Sequence, residues 1–444
     1  MKFKLIYLYI AVILFASCKK EDVSLLDSPD QRITDTLNKY KKILTEKDHI
    51  WKLNYLTGNG ELYNFVIKFT DNNRVQMLAD LNEKSSRNYI ESSYRIESLI
   101  RPSLIFDTYN YLHLLSDPDP SVNNGTIGKG SLADFSFSLL SHQADTISLY
   151  GNFNKNYAKL IKISTVEALE IENGGWNETI NNFKTFYATS QYPYLKFDNT
   201  QLMINIDTTK RKLSFTLFEN QKMGASYDIN YAYDLKHIPF SKPITIKGNK
   251  IQRLSWDENA ANFYVLINGN KHYIQNYNQY PISIDDLYGY GKKYAFLKIP
   301  SNKLDYGLNS GFNTIWQQAI DKFKTANKTI VNASFGFLDA ERFEVLIVYG
   351  AADTFGDPTG ASQFNAQAIF KVTKNGNSFT LDQGTLSGNW DANASHLLSF
   401  KDYFSNATFT PNWITSSYEQ YNKVLMIGLF KNGSTTSFAY GIAK

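Results

Sequence analysis

Apolar positions along this chain follow two periods, and the switches between them divide it. Ser28-Pro29-Asp30-Gln31 has the form of a helix start, with a serine to accept from the third amide, proline at the first helical position and a glutamine to reach back. Ile33, Leu37, Tyr40 and Leu44 then recur at helical spacing, with Lys39, Lys41 and Lys42 largely outside the stripe, and the pattern stops near Thr45. After Trp51 the period becomes two. Tyr63, Phe65, Ile67 and Phe69 alternate with other residues, Asp71-Asn72-Asn73 supplies a turn, and Val75 and Met77 resume on the return, which predicts a hairpin. The same grammar recurs at Ile147 and Leu149, turning at Asn154-Lys155-Asn156 into Ala158 to Ile163. It recurs again at Ile204 and Ile206, turning at Thr208 to Lys210 into Leu213, Phe215 and Leu217.

Two more stretches have helical spacing. Asn177 to Ala188 carries Ile180, Phe183 and Tyr187, and Asn313 to Ala326 carries Ile315, Ala319 and Phe323. Counted from Gln31, Trp176 and Asn313, the three helices start 145 and 137 residues apart, which suggests a threefold organisation of one short helix and a run of strands. The expected fold is mainly β, with two or three antiparallel barrel or sandwich units, each with a short helix. The expected boundaries are 28–170, 171–308 and 309–444. Phe438, Tyr440 and Ile442 share one face of a final strand, whose pairing should make truncation there costly.

The start of the chain carries a different signal. Lys2 and Lys4 precede an apolar run from Leu5 to Ala16, and Ser17 gives way to Cys18, the only cysteine in 444 residues. The run is too short to span about 30 Å of hydrocarbon comfortably, while small residues before a lone cysteine suit a lipoprotein signal peptidase. Residues 1–17 are therefore expected to be a signal peptide, with Cys18 acylated and residues 18–27 a tether of about 30 Å. Each buried methylene contributes about 0.8 kcal/mol, so two or three acyl chains hold a protein that one would release. Lys19, Lys20, Glu21 and Asp22 after the cysteine resemble the export signal that sends Bacteroidota lipoproteins to the outer face of the outer membrane.

Composition narrows the rest. Hydrophobic residues at 43% and charged residues at 20% describe a globular chain rather than a disordered one. Thirty Tyr and thirty Phe against eleven Pro favour sheet. A formal charge of +4, falling to +2 without Lys2 and Lys4, comes from interspersed signs, so no basic stripe points to nucleic acid.

Residues 91 to 119, ESSYRIESLIRPSLIFDTYNYLHLLSDPD, add a resemblance. With Ser28 to Arg32, the Lys68 to Val75 hairpin and Ile147 to Ile163, they resemble domain of unknown function 4302, a family of Bacteroidota lipoproteins. The resemblance is specific over about residues 18–165. It implies lipocalin-like β structure in the first unit and a lipoprotein encoded beside outer-membrane uptake pairs of the starch-utilisation type, and it transfers no catalytic residue. By its residues alone the stretch is too apolar for a surface loop, and its period decides neither strand nor helix. Arg95, Arg101, Asp107 and His113 lie among those apolar residues, and an Arg to Asp pair is the simplest way to satisfy them.

The sequence holds no catalytic motif. His49, His113, His142, His237, His272 and His396 are far apart, with no second cysteine, so neither a metal nor another cofactor is expected. Asp117-Pro118-Asp119 and Asp285-Asp286 read as turns or caps, and Gly125 to Ser131 has glycine and lysine in the wrong order for a phosphate loop. An acidic pair for glycoside hydrolysis needs only closeness in space, and none stands out. The richest recognition candidate is the aromatic run Trp256, Tyr264, Tyr273, Tyr277, Tyr280, Tyr288 and Tyr290, extending to Tyr294. Sugars and peptide side chains stack on such rings, although tyrosine also serves simply as a strand residue.

The expectation is a non-enzymatic, lipid-anchored protein at the cell surface, binding a glycan or peptide beside an outer-membrane transporter. A glycan hydrolase and a structural or adhesive lipoprotein are the alternatives.

Overall fold

The computed structural model describes residues 28–220, 222–418 and 423–444. The signal peptide, Cys18 and the charged residues Lys19, Lys20, Glu21 and Asp22 lie outside them. The chain divides into two compact units, the first ending at Asn177 and the second running from Glu178 to Lys444. Among the described residues no helix is long and apolar enough to cross a membrane.

The first unit opens with α1, Pro29–Thr45. Ser28 Oγ accepts from the Gln31 amide at 3.2 Å, as the helix-start pattern requires. Gln31 does not reach back. Its amide nitrogen donates to Asp35 Oδ1 at 2.9 Å, a carboxylate four residues on that shares its helix face, which turns the side chain along the helix instead.

Eight strands follow: β1 Ile50–Leu56, β2 Leu62–Phe69, β3 Arg74–Ala79, β4 Ile90–Ser98, β5 Pro102–Phe106, β6 Ser136–Gln143, β7 Thr146–Gly151 and β8 Tyr157–Ile163. Each pairs with the next and β8 returns to β1, where Leu53 faces Leu160, so the barrel is closed and leaves no free sheet edge. At the β2 to β3 turn Asn73 takes a φ of 61°, a conformation asparagine tolerates better than most residues. The undecided stretch 91–119 contains both periods. It forms β4, β5 and then the helix α2, Tyr111–Ser116, capped by Asn110. Asp119 caps α3, Pro120–Asn123, and α4 is Thr165–Glu172. Arg95 bonds Glu97 at 2.8 Å and Asp107 at 3.1 Å, on a half-exposed flank rather than inside. Trp51, Tyr55, Phe65, Phe106 and Phe137 fill the interior together with Tyr40 and Leu44 of α1.

The division between the units falls inside α5, Gly175–Thr189. In the second unit β9 Pro193–Phe197, β10 Thr200–Asp207, β11 Lys212–Glu219, β12 Lys222–Asn230, β13 His237–Ile246, β14 Asn249–Asp257, β15 Asn262–Ile267 and β16 Asn270–Asn276 form a second meander. Its ends meet where Leu195 faces Ile274. Its seam lies between β12 and β13, spanned by the isolated bridges Tyr231 to Phe240 and Asp234 to His237. Ile180, Phe183 and Phe186 of α5 pack into that barrel with Phe215, Tyr231 and Phe263.

The third sheet begins after α6, Ile284–Leu287, with β17 Phe296–Ile299, and α7, Gly311–Lys324, precedes β18 Lys328–Phe337. Then come β19 Arg342–Ala352, β20 Pro358–Asn375, β21 Ser378–Leu381, β22 Thr385–Leu386, the helices α8 Gly388–Asp391 and α9 Ala394–Phe404, β23 Thr408–Ile414, β24 Met426–Lys431 and β25 Phe438–Ala443. Pairing runs from β19 through β18, β17, β25, β24, β23, β21 and β20 back to β19, so this sheet also closes. Phe312, Trp316, Ala319 and Phe323 of α7 lie in its core with Phe335, Phe400 and Tyr440. The molecule is thus mainly β, built of barrel units whose cores each take in a short helix. In all three, aromatic side chains occupy the space where an open barrel would hold a ligand.

Candidate functional site

The barrel cores are packed with aromatic rings, and ligand-sized space lies outside them. The second unit has a cleft of 460 Å³ against the outer surface of β10, β11 and β12, within the usual range for ligand sites. Period-two alternation builds its floor. Leu202, Leu213 and Phe215 point into the barrel core, while Met203, Ser214 and Thr216 face the cleft. The facing wall comes from the approaches to β17 and β24, which supply Tyr280, Lys293, Tyr294, Lys423 and Leu425.

Aromatic rings set the walls. Tyr192 meets Tyr280 edge-on at 5.3 Å between ring centroids, and Tyr280 meets Trp413 edge-on at 5.4 Å. Trp413 Nε1 donates to the Ile282 carbonyl at 2.6 Å, which holds the ring in place. Tyr194 and Tyr277 stack at 4.1 Å beside them, and the Tyr277 hydroxyl donates to Gln201 Oε1 at 2.9 Å. Burial raises the pKa of the Tyr280 hydroxyl to about 12, helped by Tyr294 and Tyr192, so it stays protonated at neutral pH.

The charge in the cleft is one-sided. Lys423 Nζ lies 4.9 Å from the centre of the Tyr187 ring, and burial lowers its pKa to about 8. Lys293 Nζ lies 5.2 Å from the Tyr294 ring. Among the described residues no carboxylate lines the cleft. Asp228, the cross-strand neighbour of Ser214 on β12 and just outside the lining, is engaged by Lys212 at 2.6 Å and Ser214 at 2.6 Å. Two ammonium groups over tyrosine faces, with methionines and hydroxyls below, can receive an acidic group attached to an apolar or ring-shaped body.

The aromatic run singled out in the sequence is distributed by the fold. Tyr280 lines the cleft and Tyr277 packs beside it. Trp256 lies against Phe263 at 4.9 Å, half-buried on the second barrel. Tyr264 and Tyr273 sit side by side on β15 and β16, 5.7 Å apart. There Lys271 and Tyr273 both donate to Asp257 Oδ2, at 2.5 and 2.7 Å, and hold its carboxyl well below the usual range. Tyr288 is in the third core against Phe337, its hydroxyl pushed up by burial and without a hydrogen-bond partner. Tyr290 is 53% exposed. Tyr187, Tyr192, Lys293 and Lys423 were missed. The string Tyr192-Pro193-Tyr194 offered a signal for part of this, but nothing in the sequence distinguishes Lys423 from other surface lysines. Among the described residues, no group of three or more His, Cys, Asp or Glu could hold a metal ion.

The sequence profile described as Domain of unknown function (DUF4302) matches residues 21–258. No curated protein matches the chain. Among solved structures, a protein of unknown function from the DUF3598 family of Nostoc punctiforme is 7% identical, covering 74% of this chain and 97% of its own, with a TM-score of 0.13. The DNA polymerase III beta subunit of Thermotoga maritima is 8% identical, covering 91% of each chain, with a TM-score of 0.14. Transferrin binding protein B from Haemophilus parasuis is 11% identical, covering 89% of this chain and 65% of its own, with a TM-score of 0.12. Scores this low carry no functional argument.

Proposed function

Since the chain belongs to the DUF4302 family, whose members are domains of unknown function, we propose from its own residues that it is a ligand-binding protein rather than an enzyme. In this reading Cys18 carries the acyl anchor, and Lys19 to Asp22 direct the protein to the cell surface. The cleft holds an acidic peptide or glycan fragment for an outer-membrane transporter. One observation carries the binding reading: Tyr187, Tyr192, Tyr280 and Tyr294 converge with two lysines and, among the described residues, no carboxylate on one 460 Å³ cleft. A charge-assisted hydrogen bond contributes about 1.5–3 kcal/mol, enough for Lys423 to select a ligand by its acid group.

The test is purification from native outer membranes in mild detergent, with quantification of whatever co-elutes. Near-equal recovery of a large barrel transporter supports the accessory role, and elution alone removes it. A Cys18→Ala variant is expected to leave the membrane fraction. Its retention there would end the anchor assignment.

A further inference from the structure

Beside α7 lies a second hollow, of 510 Å³, whose chemistry differs from that of the cleft. Asn313, Trp316, Gln317, Ile320, Asp321 and Lys324 recur at helical spacing and form one flank of the helix, adjacent to the stripe that enters the core. The opposite side comes from the loops at Asn302 to Asp305 and Phe355 to Asp357. These loops are tied to each other and to the helix. Asn302 donates to Asp357 Oδ1 at 3.1 Å, and its carbonyl accepts from Trp316 Nε1 at 2.7 Å. Gly356 turns the second loop with a φ of 87°, which few other residues adopt cheaply.

Three features point to a ligand. Thr329 sits at the floor, 1% exposed, and its Oγ1 makes no hydrogen bond. Its neighbour Ile330 belongs to the core, and Thr329, on the other side of the strand, lines the hollow. A buried hydroxyl without a partner costs about 1–3 kcal/mol, a cost that an arriving hydroxyl would remove. Acceptors line the same hollow. Gln317 Nε2 donates to Asp321 Oδ1 at 2.8 Å, leaving Oδ2 available, and the Asp305 carboxylate also lines the space. At the rim Phe355 is 84% exposed, a bare ring large enough to cover one face of a sugar.

Charge decides the ligand class. Lys303 is paired with Asp357 at 3.3 Å, and Lys324, Asp305 and Asp321 are the other charged groups of the lining. Asn302, then Lys303, hold the Asp357 carboxyl below the usual range. Neither sign is in large excess, so no acidic ligand is called for, and the carboxylates do not gather into a metal site. Carboxylates and amides beside a bare ring match a neutral polyol with one apolar face. We propose that this hollow binds a neutral hexopyranose unit of a glycan, stacked on Phe355, with its hydroxyls on Asp321, Asp305 and Thr329. The site is separate from the cationic cleft, so either assignment can fail alone.

The test is calorimetric titration of the full mature chain in detergent with maltohexaose, cellohexaose, mannohexaose and laminarihexaose. At least one is expected to bind. Phe355→Ala and Asp321→Asn, both at exposed positions, should each weaken it at least about tenfold. Tyr290→Ala, at an exposed ring outside the hollow, should leave it unchanged. Thr329→Val should weaken binding yet raise the melting temperature of the free protein, a pair of effects that a merely structural threonine would not produce. Failure of all four sugars to bind, or binding that survives both Phe355→Ala and Asp321→Asn, overturns the proposal.

Discussion

The barrel interiors and the cleft on the second unit are made of the same residue type and use it in opposite ways. Inside, Phe183 is fully buried, and its ring lies 5.2 to 6.2 Å from Tyr231, Phe263, Tyr233 and Phe186. Outside, Tyr187 and Tyr294 line an open cleft and each carries a lysine ammonium over its ring. A filled interior can only stabilise, because nothing enters it. A lined hollow sacrifices some burial and keeps polar groups for a ligand. Stability and binding should therefore respond to different substitutions.

The largest effect should come from the interior. Phe183→Ala removes a buried ring where α5 enters the second barrel and is expected to cost about 3–5 kcal/mol, read as a lower denaturation midpoint in urea. A loss below about 1 kcal/mol would mean that the interior is less tightly filled than described.

Lys423→Met should do the reverse. It should weaken an acidic ligand by about 10–100-fold in a titration, while the melting temperature stays level or rises, because a partly buried charge has been removed. If instead stability fell and binding held, Lys423 would belong to the packing.

A third effect is pH dependence. Burial favours the neutral amine, so Lys423 loses its proton near pH 8 rather than at its ordinary 10.5. Affinity for an acidic ligand should fall as pH rises through about 8, while an uncharged ligand shows no such change. The stability term has the opposite slope. Between those two pKa values the unfolded chain binds more protons, so this group's contribution rises with pH. Melting curves across that range would show the direction.

The smallest effect should come from the surface network on β14 to β16. Lys271→Ala breaks the ion pair with Asp257, but Lys271 is half-exposed and Asp257 keeps its bonds from Tyr273 and the Asn259 and Ala260 amides, so binding in the cleft should be unchanged and melting barely altered. A clear loss of ligand affinity would move the site onto the Tyr264 and Tyr273 face.

What could be read in advance followed the range of the interactions. The capping serine, the stripe of α1 and the hairpins at Asn73, Lys155 and Thr208 to Lys210 depend on neighbours a few residues apart, and periodicity exposes them. The stretch 91–119 stayed ambiguous because strand, strand and a short helix follow one another within it, so neither of its two periods runs on long enough to dominate. The aromatic run was half informative. Tyr280 reached the cleft and Tyr277 its margin, but Tyr288 entered a core and Tyr264 and Tyr273 joined a surface network, since composition says nothing about which face of a strand a ring occupies.

The sequence alone determined that the chain is mainly β with short amphipathic helices, because alternation and 3.6-residue spacing are local consequences of backbone geometry. It also carried the Cys18 motif and the family relationship. Only the tertiary structure decided that meanders close into barrels, that helices enter their cores, and that ligand-sized space lies outside them. Closure pairs strands more than a hundred residues apart, as Leu53 with Leu160, and the cleft joins Tyr187 to Lys423. No local pattern records such distances, because the energy that sets them appears only when distant faces are buried together.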